Sequence, residues 1–171
     1  MGLLDSDDEF YDTKMGSNVS IAHHALSIDE QREDFAPTIW QSRPGVDLKQ
    51  VWFAGVHAAI GGSYPPAKKG AISASDTPLK WMLDEARAAG LIIESRLLEG
   101  LAAASQGKLH KSRKHVYRFK RPRHRQLLNE EKPTKIHPSV KARYEEDPSY
   151  RPPQLKALVE QYGWHSLDVG I

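Results

Sequence analysis

The chain has 171 residues, a length that suits one domain with a moderate hydrophobic core. Hydrophobic residues make up 39% and charged residues 27%, which predicts a soluble, folded protein and excludes a disordered tail. The formal charge of +2 is too small to imply a polyanionic partner by itself. Because the sequence contains no cysteine, it excludes disulfides, thiolate metal sites and a cysteine nucleophile.

The N-terminal segment is acidic. Acidic residues crowd the first twenty positions, which argues against a signal peptide with a basic start and an apolar middle. No apolar run approaches the roughly 18 residues that a membrane-spanning helix needs. We therefore expect residues 1–14 to be loose and the chain, taken alone, to be cytoplasmic.

The first half of the chain predicts a helix followed by a strand. Residues 15–26 can form a helix, with Ser17 as N-cap and small or apolar residues recurring on one face. Pro44-Gly45 is a turn signal, and residues 48–53 follow it as a strand. Residues 51–54 are all apolar, which is typical of a strand covered on both faces.

The second half predicts mostly helices. Residues 63–75 are rich in Gly, Pro and Ser and predict a loop. Thr77-Pro78 then opens the clearest helix, which Gly90 ends. Residues 91–93 are too short an apolar run to assign, and shorter helices are expected at residues 138–146 and 155–162. The strand–loop–helix order indicates an α/β fold.

His57 is the candidate functional residue. It follows the strand at residues 48–53, and in open α/β sheets the chemistry lies beyond the carboxyl ends of the strands. Gly55, Gly61 and Gly62 would let the backbone bend around the imidazole, because glycine accepts positive φ. An ordinary surface histidine in a turn has the same pattern, so these residues alone do not distinguish a catalytic histidine from a structural one.

A basic stretch runs from Lys108 to Arg125 and contains nine Lys or Arg residues and no acid. Its cations could contact phosphates of nucleic acid or of an anionic membrane, with Tyr117 and Phe119 stacking on bases. Lys and Arg also protect exposed edge strands from pairing. Without a recognised nucleic-acid module, the edge-strand interpretation is favoured.

Other polar clusters point to structure more than to chemistry. His23 and His24 are adjacent on the predicted helix and diverge by about 100°, so they do not share a metal easily. Asp29-Glu30-x-Arg32 is interpreted as an ion-pair cluster that ends a helix, with a catalytic carboxylate as the unsupported alternative. The 171 residues contain no G-x-S-x-G nucleophile motif, no P-loop and no dinucleotide fingerprint, so no cofactor is expected.

A family resemblance rests on five segments in order: residues 25–40 (ALSIDEQREDFAPTIW), 50–57 (QVWFAGVH), 75–82 (SDTPLKWM), 136–143 (IHPSVKAR) and 150–152 (YRP). Together they resemble the α/β-hydrolase family of type VI secretion phospholipase effectors, from about Phe10 to about Leu155. The resemblance implies export without a cleavable signal. It also implies that the basic stretch is a surface hairpin region after the helix that carries Trp81.

The resemblance implies an α/β-hydrolase fold with a Ser, Asp and His triad in that chain order. His57 matches the histidine of the family's G-V-H motif, which makes it the general base. The nucleophile elbow and the triad acid would lie upstream, because Phe10-Tyr11-Asp12-Thr13 already resembles a segment after them. The family usually reads His-x-Asp-x-Gly-Gly-Gly, whereas Ala59 and Ser63 stand at the Asp and third Gly here.

Three functional hypotheses follow. The first is a truncated or split ester hydrolase, phospholipase-like, in which residues 15–155 form the C-terminal part of an α/β-hydrolase domain and residues 156–171 a tail. The end of the chain, residues 126–171, is expected to be irregular because of its many prolines. This hydrolase would act on a lipid or ester only when completed by its missing half. The second is a binding module that uses residues 108–125 on nucleic acid or anionic membrane. The third is a non-functional remnant, whose core would be open beside residues 51–54.

Overall fold

A three-stranded parallel sheet forms the centre of the computed structural model, which describes residues 15–66, 71–98, 101, 107–113, 119–128 and 134–170. The strand order is β1 (Ile21–Ser27), β2 (Asp47–Phe53) and β3 (Lys135–Ile136). In its register Ser27 lies opposite Phe53, and Trp52 lies opposite Ile136. The predicted α/β class is confirmed, whereas the α/β-hydrolase arrangement stays a prediction.

Strand β2 is covered on both faces, as its apolar run predicts. On one face Trp52 packs in a core with Leu26 and Ile136, beside α3 (Pro138–Glu146) and α4 (Pro153–Tyr162). On the other face, α2 (Asp76–Ala88) lays Trp81 against Val51 and Phe53. Buried residues contributed by the helices and the C-terminal segment complete the larger core: Val140, Tyr150, Leu155 and Leu167.

The helix predicted over residues 15–26 is wrong, because strand β1 occupies most of that segment. The small and apolar residues there do recur at helical spacing. They also alternate, so Ala25 packs with the core on one face of the sheet and Leu26 with the core on the other. Pairing of seven residues with β2 satisfies the backbone of this segment and decides the outcome.

The remaining helices agree with the sequence patterns. Helix α2 begins one residue before Thr77, and Gly90 follows its end with φ of 97°. Helix α3 has the predicted bounds, and α4 begins two residues earlier than predicted and spans the expected domain boundary at residue 155. A one-turn helix, α1 (His57–Ile60), was not predicted. Residues 91–93 form no helix or strand, and Ile92 is 96% exposed.

The open core that the remnant hypothesis predicts beside residues 51–54 is not seen among the described residues. Strand β2 is paired with β1 on one edge and with β3 on the other. Val51 and Trp52 are fully buried, and Phe53 is only 1% exposed. The chain therefore encloses this part of the core with its own strands. The loose N-terminus expected at residues 1–14 lies outside the described residues, and the division into domains stays a prediction.

Candidate functional site

His57 lies just beyond the carboxyl end of the central strand. Strand β2 ends at Phe53, a bend through Gly55 follows, and His57 is the first residue of helix α1. Val56 is buried, whereas His57 is exposed, so the backbone is fixed while the imidazole faces outward. The ring of Phe35 lies beside it, with 5.2 Å between the ring centroids.

The bend before His57 requires glycine at position 55. Gly55 has φ of 135°, and a Cβ there would lie 3.3 Å from Ile60 Cδ1 and 3.4 Å from Ala59 Cβ. The positive φ therefore disfavours any side chain, and the Ile60 methyl group would have to shift by a few tenths of an ångström to make room for one. Gly62 also has positive φ, at 76°. The same prediction for Gly61 is wrong, because its φ of −78° is open to any residue.

Two adjacent carboxylates hold the backbone on either side of Val56. Asp29 Oδ2 accepts a hydrogen bond from the Gly55 N–H at 2.7 Å, and Glu30 Oε2 accepts one from the His57 N–H at 3.3 Å. The Asp29 N–H donates in turn to the Gly55 carbonyl oxygen at 3.0 Å. The segment that follows β1 therefore fixes the backbone from which the imidazole projects.

The same two carboxyls differ in their electrostatic surroundings. Burial raises the pKa of Asp29 to about 6, against the opposing effects of the Gly55 N–H, the Tyr150 hydroxyl and Arg143. Burial also raises the pKa of Glu30, but hydrogen bonds and the charge of Arg32 outweigh it, and the net pKa lies below the ordinary value. Glu30 is therefore the stably ionised member, and Asp29 takes up a proton in mildly acidic solution.

The ion pair predicted at these positions is present, although it follows a strand and not a helix. Arg32 donates to both oxygens of Glu30, from Nε at 3.0 Å and from the terminal nitrogen at 2.9 Å. Sequence reasoning missed the second role of these acids, the anchoring of the backbone next to His57. No local pattern could reveal it, because the contact depends on the register between β1 and β2.

Ala59, which stands at the family's Asp position, faces the interior. It is 3% exposed, and its methyl group lies beneath Gly55. Its N–H donates to the Val56 carbonyl oxygen at 2.8 Å and closes the first turn of α1. A methyl group at this position supplies no charge or hydrogen bond to the imidazole, so Asp29 and Glu30 provide the carboxylate contacts to this loop.

A histidine–serine contact at the end of β3 forms a helix cap. His137 Nδ1 accepts a hydrogen bond from the Ser139 N–H at 3.1 Å and lies 2.8 Å from Ser139 Oγ. Burial lowers the pKa of His137 to about 4, and its ring stacks on Phe53. The cavity beside Ser139 holds only about 10 Å³, which is too small for an ester group. This pair caps α3 and has no room for a substrate.

His23 and His24 lie on opposite faces of β1. His23 contacts Asp47 at 3.3 Å and Glu85 at 3.6 Å, and His24 packs on the ring of Trp40. Alternation along a strand separates them more than the 100° expected on a helix. Among the residues that the structure describes, no group of three His, Asp or Glu side chains could hold a metal ion.

Several side chains of the basic stretch form ion pairs or hydrogen bonds within the protein. Lys120 pairs with Asp34 at 3.1 Å, Arg123 pairs with Glu33 at 2.6 Å, and Arg125 donates to the Phe35 carbonyl oxygen at 2.6 Å. Residues 108–113 and 119–125 form no strand, and residues 114–118, with Tyr117, lie outside the described part. The second half of this stretch therefore fastens the acidic 3₁₀ turn at Glu33–Phe35.

The segment that contains His57 matches a known protein family. Residues 2–85 match the model of the family described as T6SS, phospholipase effector Tle1-like, catalytic domain. This segment is similar to the catalytic domain of that family. The Tle1-like segment contains β1, β2, His57 and most of α2, which confirms the resemblance over these residues. Neither a curated protein nor a solved structure matches the chain.

The match of residues 2–85 to the Tle1-like family supports a phospholipase-like role and is consistent with secretion through the type VI system. The resembling segments at residues 136–143 and 150–152 lie outside the matched range. In the described part of the chain, no helix has the length and apolar character needed to cross a bilayer.

Proposed function

We propose that this chain contributes His57 as the general base of a phospholipase-like ester hydrolase with an α/β-hydrolase fold. One observation carries the proposal: His57 is the exposed residue at the carboxyl end of the central parallel strand, inside the Tle1-like segment. This is where open α/β sheets place catalytic residues. The hydrogen bonds that the Asp29 and Glu30 carboxylates accept from the Gly55 and His57 N–H groups keep this backbone in place for that role.

In the proposed reaction, the imidazole of His57 takes the proton from a serine hydroxyl as the hydroxyl oxygen attacks the ester carbonyl. The imidazolium then gives that proton to the leaving alcohol. In the second half of the reaction, His57 takes a proton from water as the water oxygen attacks the acyl-serine ester, and the imidazolium returns the proton to the serine oxygen. A triad carboxylate would stabilise the imidazolium. Since the 171 residues contain no G-x-S-x-G, we propose that the serine and this acid come from sequence outside them, so the chain alone is inactive.

The binding-module alternative is less well supported. A polyanion would need cations free to exchange phosphate contacts for counterions. Lys120 and Arg123 already pair with acidic side chains, and Arg125 is 5% exposed with its guanidinium on backbone oxygens. We therefore assign Lys120, Arg123 and Arg125 a structural role.

The test combines the chain with a polypeptide that supplies the G-x-S-x-G half, taken from the coding sequence upstream. Phospholipid and short ester hydrolysis is measured for the chain alone, the combined protein, and the combined protein with His57→Ala. We expect activity only in the combined protein, and at least about a 1000-fold loss in His57→Ala. His124→Ala, another exposed histidine, serves as the control and should retain full activity.

Two outcomes would contradict the proposal. One is ester hydrolysis by the isolated chain that His57→Ala does not reduce. The other is full activity of the combined protein after the same substitution. A combined protein that folds and stays inert would identify the chain as a remnant of the family.

A further inference from the structure

We propose that Phe35 is a positioning residue that holds the imidazole of His57 in the orientation a general base needs. The inference rests on the proposed function, because it concerns the same histidine. His57 is exposed, and the hydrogen bonds that its loop makes to Asp29 and Glu30 fix only the backbone. An exposed side chain with no contact at its ring changes rotamer within nanoseconds and divides its time among several orientations. A neighbour that favours one orientation therefore improves the base.

The ring of Phe35 packs against the imidazole of His57. The two ring centroids are 5.2 Å apart, and the ring planes are inclined by 60°. Aromatic rings attract each other at this distance and tilt, which corresponds to a preference of about two- to tenfold for the orientation that keeps the contact. In the described part of the chain, no side chain forms a hydrogen bond with the imidazole of His57. The contact with Phe35 is therefore the interaction that selects its orientation.

Two arginines hold Phe35 in its place. The guanidinium of Arg32 lies over the phenyl ring, with Cζ 3.7 Å from the centroid, and forms a cation–π contact. Arg125 donates to the Arg32 carbonyl oxygen at 2.9 Å and to the Phe35 carbonyl oxygen at 2.6 Å, so it joins the residue before the 3₁₀ turn to its last residue. Arg125 is only 5% exposed, which strengthens these bonds. Phe35 therefore has a fixed position beside the imidazole.

The contacts of Arg32 lead back to His57 through Glu30. Both carboxylate oxygens of Glu30 accept hydrogen bonds from the Arg32 side chain, and Oε2 also accepts the His57 N–H at 3.3 Å. Because Glu30 is fully buried, it ties the guanidinium to the same point of the fold as the histidine backbone. A continuous series of contacts therefore begins at the His57 backbone and ends at the His57 imidazole, through Glu30, Arg32 and Phe35.

Phe35 can influence the reaction only through the position of the imidazole. Its side chain has no titratable group and donates no hydrogen bond, so it neither moves a proton nor stabilises charge. A general base must reach within about 3 Å of the hydroxyl that it deprotonates. A displacement of about 1 Å can cost about a hundredfold in rate. Loss of the phenyl ring should therefore lower kcat and leave KM nearly unchanged.

NMR spectra of the 171-residue chain test the contact without any catalysis. The imidazole C–H signals of His57 are assigned by their loss in His57→Ala. We expect nuclear Overhauser effects between these protons and the Phe35 ring, and we expect Phe35→Leu to abolish them and to remove the ring-current shift. Tyr162→Leu removes an exposed aromatic ring at the end of α4 and should leave the His57 signals unchanged. A natural chain without these effects would overturn the proposal.

Ester hydrolysis by the combined protein tests the consequence for the reaction. Phe35→Leu keeps an apolar side chain at this half-buried position, and its circular dichroism spectrum should match that of the natural protein. We expect its kcat to fall at least about tenfold while KM stays within about twofold. Phe35→Tyr keeps the aromatic ring and should restore kcat to within about twofold of the natural value. The control Tyr162→Leu should retain the natural kcat.

Three kinetic results would also overturn the proposal. A natural kcat in Phe35→Leu would show that the base does not need this contact. A raised KM with an unchanged kcat would make Phe35 a substrate contact. Equal losses of kcat in Phe35→Leu and Phe35→Tyr would show that the aromatic ring is not the group that acts. If His57→Ala leaves the combined protein fully active, the hydrolase proposal fails, and the NMR comparison still shows whether Phe35 orients the imidazole.

Discussion

Replacement of Asp29 by asparagine should change how the stability of the protein depends on pH. The folded-state pKa of this carboxyl is about 6, above the ordinary value of 3.8. The folded protein therefore holds the proton more tightly than the unfolded chain does. The stability that Asp29 contributes is fully present below about pH 4 and is lost as the pH rises through about 6.

The size of the effect follows from the pKa values. Each pKa unit corresponds to 1.36 kcal/mol, so a rise from 3.8 to about 6 corresponds to at most about 3 kcal/mol. Asparagine does not titrate, and its carbonyl oxygen can still accept the Gly55 N–H. Relative to the natural protein, Asp29→Asn should therefore gain up to about 3 kcal/mol of unfolding free energy between about pH 4 and pH 7.

Urea unfolding of both proteins across this pH range measures the difference directly. The lowered pKa of His137 also makes stability pH-dependent, but it is present in both proteins and largely cancels in the difference. Asp34→Asn makes the same chemical change at an exposed carboxyl and should stay within about 0.5 kcal/mol of the natural protein at every pH. A difference for Asp29→Asn that stays constant, or shrinks as the pH rises, would refute the argument from burial.

Two substitutions test the backbone around His57. Gly55→Ala should lower the unfolding free energy by about 1–3 kcal/mol, because φ of 135° is strained for alanine and its Cβ would meet Ile60. Thermal unfolding measures this, with Gly61→Ala as the matched control, and equal melting temperatures for the two variants would contradict it. Glu30→Gln should cost about 3 kcal/mol, because it removes the charge that pairs with Arg32 from a fully buried position. Chemical unfolding measures that loss, and the NMR signals of His57 should shift as its N–H partner weakens; unchanged stability and spectra would argue against both contacts.

Local patterns predicted the elements that local chemistry determines. Strand β2 follows from its apolar run and α2 from Thr77-Pro78 and Gly90. Strand β1 could not be predicted in the same way, because its residues satisfy helical and strand spacing equally well. Only the partner strand, 26 residues away in the paired register, decides between them.

The candidate site also has features that the sequence predicts and features that it does not. His57 could be located from the sequence, since it directly follows a recognisable strand and lies in a family motif. The anchoring by Asp29 and Glu30 could not, because the acids and the amides they bind come from different strand ends. The raised pKa of Asp29 depends on burial by the rest of the fold, which no spacing of residues reveals.

The parallel pairing of β1 and β2 makes the site sensitive to chain length as well as to residue type. Ser27 lies opposite Phe53, and each added residue in an extended segment advances the chain by about 3.3 Å and turns the next side chain to the other face. One residue inserted between Ser27 and Asp29 would carry both carboxylates past the amides of the His57 loop. One inserted at the exposed turn Pro44-Gly45 would leave the register intact. Insertions and deletions should therefore be tolerated in the connection and excluded at the strand end.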